Sequence, residues 1–95
     1  MLALIVTFTV RPGDEAKTKE YMRIMEEQTR REPGCRQYVG HQSQEEPRRF
    51  MFYELYENEA ALEAHRASPH YERFVTNGLL KLMETRVGDV FLTID

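Results

Sequence analysis

The chain has no tryptophan, a single cysteine, four prolines and five glycines in 95 residues, and each scarcity excludes something. With Cys35 alone, no intrachain disulfide can form, and a reducing cytoplasm is the simplest home. There is no Pro/Gly/Ser-rich linker, internal repeat or low-complexity stretch, so residues 1–95 are expected to form one domain. No apolar run approaches the roughly 18 residues of a membrane-spanning helix. The N-terminal stretch MLALIVTFTVRPGDE lacks a basic leader and a small-residue cleavage site, so a strand is expected there rather than a signal peptide. Thirteen Lys and Arg lie scattered among sixteen Asp and Glu, for a net charge of −3, with no basic stripe. Neither nucleic acid nor a membrane surface is therefore expected as a partner. No Cys/His pair has the spacing of a zinc site, and no glycine-rich phosphate loop occurs.

What is present is patterned apolar sequence. Leu2 to Val10 is rich in β-branched and aromatic residues, and both of its parities, Leu4/Val6/Phe8/Val10 and Ala3/Ile5/Thr7/Thr9, are apolar to neutral. That is expected of a strand covered on both faces. Asp14 is placed to cap a helix running to about Arg31, with Tyr21, Ile24, Met25 and Gln28 on its inner face, and Glu32-Pro33-Gly34 ends it. Strands are expected over Cys35 to Gln44 and Arg49 to Glu57. The second has parities Phe50/Phe52/Glu54/Tyr56 and Met51/Tyr53/Leu55. Asn58 can cap a helix over Glu59 to Ala67 with Ala61, Leu62 and His65 inward. Ser68 and Pro69 then restart a helix whose core stripe is Tyr71, Phe74, Val75, Gly78, Leu79 and Leu82. A final strand is expected within Thr85 to Ile94.

The order β-α-β-β-α-β predicts an α+β, ferredoxin-like antiparallel sheet with its helices on one face. The other face would then be bare, yet strands one and three are apolar on both sides. A bare apolar face of that size exceeds what a monomer exposes, so a homodimer is expected.

Several residues bear chemistry. His65 shares the inward face of its helix with Ala61 and Leu62, as either a core histidine satisfied by backbone or a general base at a pocket wall. His70, in the first turn after Ser68, is either a solvated residue or one that orients a substrate oxygen. Glu54 stands among Phe50, Phe52 and Tyr56, so its carboxylate must be paired, hydrogen-bonded or protonated. A structural ion pair and a proton carrier both satisfy that need. Tyr38, Tyr53 and Tyr56 are packing residues or hydrogen-bond partners for a planar phenol.

The motifs Glu32-Pro33-Gly34-Cys35 with Tyr38, then Phe50 with Glu54 and Tyr56, then Ala61, His65 and His70, together resemble the antibiotic biosynthesis monooxygenase family, including its quinol monooxygenases. The resemblance spans essentially the whole chain. It departs from the family pattern at Tyr56, where a tryptophan is usual. It implies a dimeric α+β barrel and a pocket between sheet and helices. There a small phenolic or hydroquinone substrate is oxidised by molecular oxygen without metal, flavin or other cofactor. In that reading His65 is the base, Glu54 orients it or carries a second proton, and Tyr38, Tyr53, Tyr56 and His70 bind substrate. A non-catalytic ligand-binding dimer, and an isomerase or lyase acting on a small carbonyl compound, use the same pocket and remain open.

Overall fold

The computed structural model describes residues 1–95. Its elements are β1 (Leu2–Val10), α1 (Glu15–Thr29), β2 (Cys35–Gln42), β3 (Arg49–Tyr56), α2 (Glu59–Arg66), α3, which is π-helical over Tyr71–Leu79 and α-helical over Leu80–Leu82, and β4 (Met83–Leu92). The strands form one antiparallel sheet in the order β2-β3-β1-β4. This is the expected α+β ferredoxin-like arrangement.

Alternation along β1 sets the layers. Leu2, Leu4, Val6, Phe8 and Val10 are buried, while the intervening residues are half-buried. Across the pairing, Leu4 lies opposite Glu54, Val6 opposite Phe52 and Phe8 opposite Phe50, so the Phe50/Phe52/Glu54/Tyr56 parity of β3 is the one beneath the helices. Phe8 and Phe50 stack with ring centroids 5.8 Å apart. The other parity puts Ile5 beside Tyr53 and Thr7 beside Met51 on the open face. β4 is an edge strand that meets the core only at its start, through half-buried Met83. Its other side chains are exposed on both sides, with Val87 62%, Phe91 52% and Leu92 76% accessible.

Three local expectations change. The buried residues of α1 are Thr18, Met22, Met25 and Thr29, with Tyr21, Ile24 and Gln28 only half-buried. This helix has too few apolar residues to define a stripe, so packing chose the face: Met22 sits over Gly40, and the Glu26 carboxylate accepts the Gly40 N–H at 2.8 Å. Asp14 does not cap α1 through its side chain, which instead accepts from Arg11 Nε at 3.2 Å. The helix after Ser68 widens from α to π hydrogen bonding, although Val75, Gly78 and Leu79 of the expected stripe remain buried.

Candidate functional site

The turn after α1, the C-terminal end of β3 and the α2–α3 junction converge on one buried polar cluster. Asn58 starts α2, its side chain accepting the Ala61 N–H at 2.9 Å, and the helix carries His65 inward to 2% exposure. Ser68 then fixes the corner. Its hydroxyl donates to the His65 carbonyl at 2.7 Å and accepts the Tyr71 N–H at 3.2 Å. His65 and His70 are thereby held on adjoining turns, with ring centroids 6.2 Å apart.

Opposite them, Pro33 and Gly34 lie in the turn between α1 and β2. A Cβ on Gly34 would lie 2.4 Å from the Ala61 Cβ, so only glycine lets this turn press against α2. That approach brings Glu32 to both histidines. Its carboxylate meets His65 Nδ1 at 2.9 and 3.2 Å and His70 Nε2 at 2.5 Å. Because a carboxylate only accepts, each of these ring nitrogens carries the proton it donates. In neutral His65 the other nitrogen, Nε2, is then a bare acceptor. It faces Glu54 Oε1 at 3.8 Å. The Tyr56 hydroxyl donates to the same Glu54 oxygen at 2.6 Å. The rings of Tyr38, Tyr56 and Tyr71 surround the imidazole at 5.5, 5.3 and 5.2 Å between centroids.

The two carboxylates sit in opposite electrostatic settings. Burial works to raise the Glu32 pKa, but hydrogen bonds and positive charge from His65 and His70 outweigh it, and the net shift is downward. Burial dominates at Glu54 and raises its pKa, against the lowering effects of Tyr56, His65, Arg66 and Arg86. Burial and the neighbouring Glu54 push the Tyr56 phenol upward, and the same two causes raise Tyr38. A carboxylate that stays ionised and another that resists ionisation therefore flank one imidazole, a division of acid and base roles.

A cavity of about 30 Å³ adjoins the cluster, bounded by Tyr38, Glu54, His65, Arg66, Tyr71 and Arg86 together with apolar residues of β1 and α3. That volume holds about one water molecule. Larger cavities elsewhere lie over α1 and β2 and over the β2–β3 hairpin, away from these groups.

The structure therefore brings together His65, Glu54, Tyr38, Tyr56 and His70. It does not bring in Tyr53, which the alternation of β3 turns to the open face beside Ile5 and Val39. Glu32 has no role legible in the sequence beyond its place in a motif, Tyr71 is legible there only as a core-stripe residue, and Arg66 and Arg86 carry no signal. Glu32 and His65 are 33 positions apart, and no periodicity links a turn to a distant helix. The structure also brings together donor atoms that no spacing along the sequence pairs. One donor atom each from Glu32, His65 and His70 lies within 4.8 Å of the others.

This fold is that of a known class. The profile of the family described as "Antibiotic biosynthesis monooxygenase" matches residues 1–77. The chain belongs to that family. It is 36% identical over 70 residues to the Mycobacterium tuberculosis protein "Putative monooxygenase Rv0793", covering 74% of this chain and 68% of that one. It is 34% identical over 62 residues to a Synechocystis sp. protein, "Uncharacterized protein sll1783", and the match spans 42% of that relative's length. Among solved structures, "Putative antibiotic biosynthesis monooxygenase from Nitrosomonas europaea" superposes with a TM-score of 0.93 at 30% identity over 100% of both chains. PA3566 from Pseudomonas aeruginosa superposes with a TM-score of 0.91 at 31% identity, over 99% of this chain and 94% of that one.

Proposed function

We propose that this chain is a cofactor-independent monooxygenase acting on a small phenol or hydroquinone as a homodimer. The observation that carries the reading is His65, a buried imidazole whose Nδ1–H is held by Glu32 while Nε2 is free toward Glu54 and the cavity. A ring oriented by a carboxylate on one nitrogen is prepared to take a proton on the other. Removing the phenolic proton makes the ring electron-rich enough to pass electrons to oxygen. For a simple phenol, one atom of O₂ enters the ring to form the quinone, and the other leaves as water with two hydrogens. The chain's own tasks are to bind, orient, deprotonate and exclude water. Arg66 and Arg86 at the cavity edge supply positive charge for the phenolate.

An aromatic ring needs more room than the closed cavity offers, since a site that binds benzene measures about 150 Å³. Entry requires movement of the wall, and α3 is the element suited to it, because π-helical turns are less regular and cluster at functional sites. The open sheet face supports the dimer, since Ile5, Met51, Tyr53, Val87 and Phe91 present apolar surface there. The lone thiol of Cys35 fits a reducing cytoplasm.

The test is oxygen consumption by the purified protein with a panel of phenols and hydroquinones. His65→Ala and His65→Gln should each lower turnover by about 10²–10⁴-fold, the range for loss of a general base. Both should keep the dimer. Full turnover in a destabilised His65→Ala protein would make the histidine structural. Saturable binding of these compounds with no oxygen uptake would favour the non-catalytic ligand-binding reading.

A further inference from the structure

We propose that Glu32, His65 and His70 form a site for one divalent transition-metal ion of the zinc class. Two imidazoles and one carboxylate are a donor set that suits zinc, iron, cobalt and nickel far better than magnesium or calcium. The three donor atoms already converge within 4.8 Å of one another. Zinc–nitrogen and zinc–oxygen bonds near 2.0–2.2 Å put tetrahedral ligand atoms about 3.3 Å apart. Glu32 now stands 2.9 Å from His65 Nδ1 and 2.5 Å from His70 Nε2. A cation replacing the two bridging protons therefore needs the Glu32 carboxylate to draw back by roughly 0.4–0.8 Å and the two histidine nitrogens, in a set that spans 4.8 Å, to close around the ion. Glu32 and His70 can make these movements, since their side chains are 16% and 17% exposed and line the solvent side of the cluster. That exposure is also the entry path, and it leaves the fourth position open to water.

The surroundings fit as well. His65 Nε2 points at the Glu54 carboxyl at 3.8 Å, the outer-shell partner that metal-bound histidines commonly have. Ser68 fixes the corner between the two histidines, so the pair is set in place before any ion arrives. One chemical consequence follows. Imidazole bound to a metal through Nδ1 carries its remaining proton on Nε2, the nitrogen that faces the cavity. The metal-bound protein then lacks its free base, so zinc should block proton abstraction. That consequence alone rests on the oxygenase reading.

The experiment uses the full chain stripped of metal, titrated with zinc chloride by calorimetry and with cobalt(II) by visible absorption. Expected results are one equivalent bound per chain, cobalt ligand-field bands of a nitrogen–oxygen site, and a thermal midpoint that rises with added zinc. Glu32→Gln and His70→Ala, each first verified as folded by circular dichroism, should weaken binding by more than about 100-fold, beyond what loss of an outer-shell partner does. Cys35→Ser and His41→Ala should bind as the unmodified chain does. No saturable zinc binding by the unmodified chain would overturn the site. So would unchanged binding in both Glu32→Gln and His70→Ala, or its loss in Cys35→Ser or His41→Ala. Binding without inhibition would uphold the site and remove His65 from the base role, so the two readings fail separately.

Discussion

The two faces of the sheet are built from the same strands, yet they have been completed differently. Beneath the helices, alternate residues of β1 and β3 meet Met22, Met25, Leu62, Val75 and Leu79 in a closed core. Buried polar side chains are Thr18 and Thr29 of α1 and, at one end, Glu54 and His65, where the Tyr56 hydroxyl donates to Glu54 and His65 is held by Glu32. The opposite face carries Ala3, Ile5, Thr7, Met51 and Tyr53, half-buried and met by no helix, and β4 beside them is exposed from Glu84 to Leu92. The first face is finished within the chain. The second has apolar composition without apolar partners, which is the condition under which association replaces folding as the way to remove surface from water.

Substitutions at neighbouring positions of the same strands should separate these cases. The largest effect should come from Phe8→Ala. Phe8 is 1% exposed and packs on Phe50 and Phe52, so its loss should cost about 3–5 kcal/mol in denaturant unfolding. Tyr53→Glu lies on the open face and should leave the chain folded. It should instead weaken self-association by about tenfold or more in sedimentation, because a carboxylate placed in an apolar interface must be desolvated. A sedimentation profile showing only monomer for the unmodified chain at micromolar concentration would remove the difference between the faces.

What sequence made legible follows the same division. Strand alternation in Leu2–Val10 and Arg49–Tyr56 is strong because large side chains recur at period two, and it carried both the sheet and the surplus apolar face. Which parity of β3 met the helices could not be read, because both are large. Tyr53, which the family resemblance puts in the pocket, lies on the other side. The inner face of α1 was misplaced by about one residue for want of a dense stripe. At the site, His65, Glu54 and Tyr56 lie within one strand–helix unit and were visible as polar residues in apolar company. Glu32 was not, because the turn holding it reaches α2 only through the glycine at position 34. The wide turns of α3 have no residue pattern distinct from that of an α-helix.

A buried carboxyl on the finished face should leave a mark in the pH dependence of stability. The Glu54 pKa is raised in the folded chain, chiefly by burial. The folded state therefore holds that proton more tightly than the unfolded one, and Glu54 is destabilising once pH exceeds its ordinary value of 4.5. The penalty grows with pH until the folded-state value is passed. Glu54→Gln keeps an oxygen to accept the Tyr56 hydroxyl but cannot ionise. Its thermal midpoint should exceed that of the unmodified chain at neutral pH, and the gap should close as pH falls toward 4.5. A gap that widened on acidification would mean that Glu54 is held ionised by its neighbours.

The smallest effect should come from Asn58→Ala, and it tests how the finished face presents its polar end. Asn58 is outside the core and touches none of the site residues. Its side chain accepts the Ala61 N–H at 2.9 Å, one of the donors that the first turn of α2 leaves without a helical partner. Loss of such a cap costs about 1 kcal/mol. Ala61 is also the residue against which Gly34 closes the Glu32 turn. Fraying of the first turn should therefore loosen the approach of Glu32 to His65 more than it loosens the core. Imidazole proton resonances report this directly: the His65 Nδ1–H should exchange faster with solvent in Asn58→Ala, while amide protection in β1 and β3 stays unchanged. Equal loss of protection in α2 and the strands would mean that the cap stabilises the chain as a whole. Faster exchange at His65 alone would show that the site is held by the pairing of a turn and a helix end, while the sheet beneath it is held by its own packing.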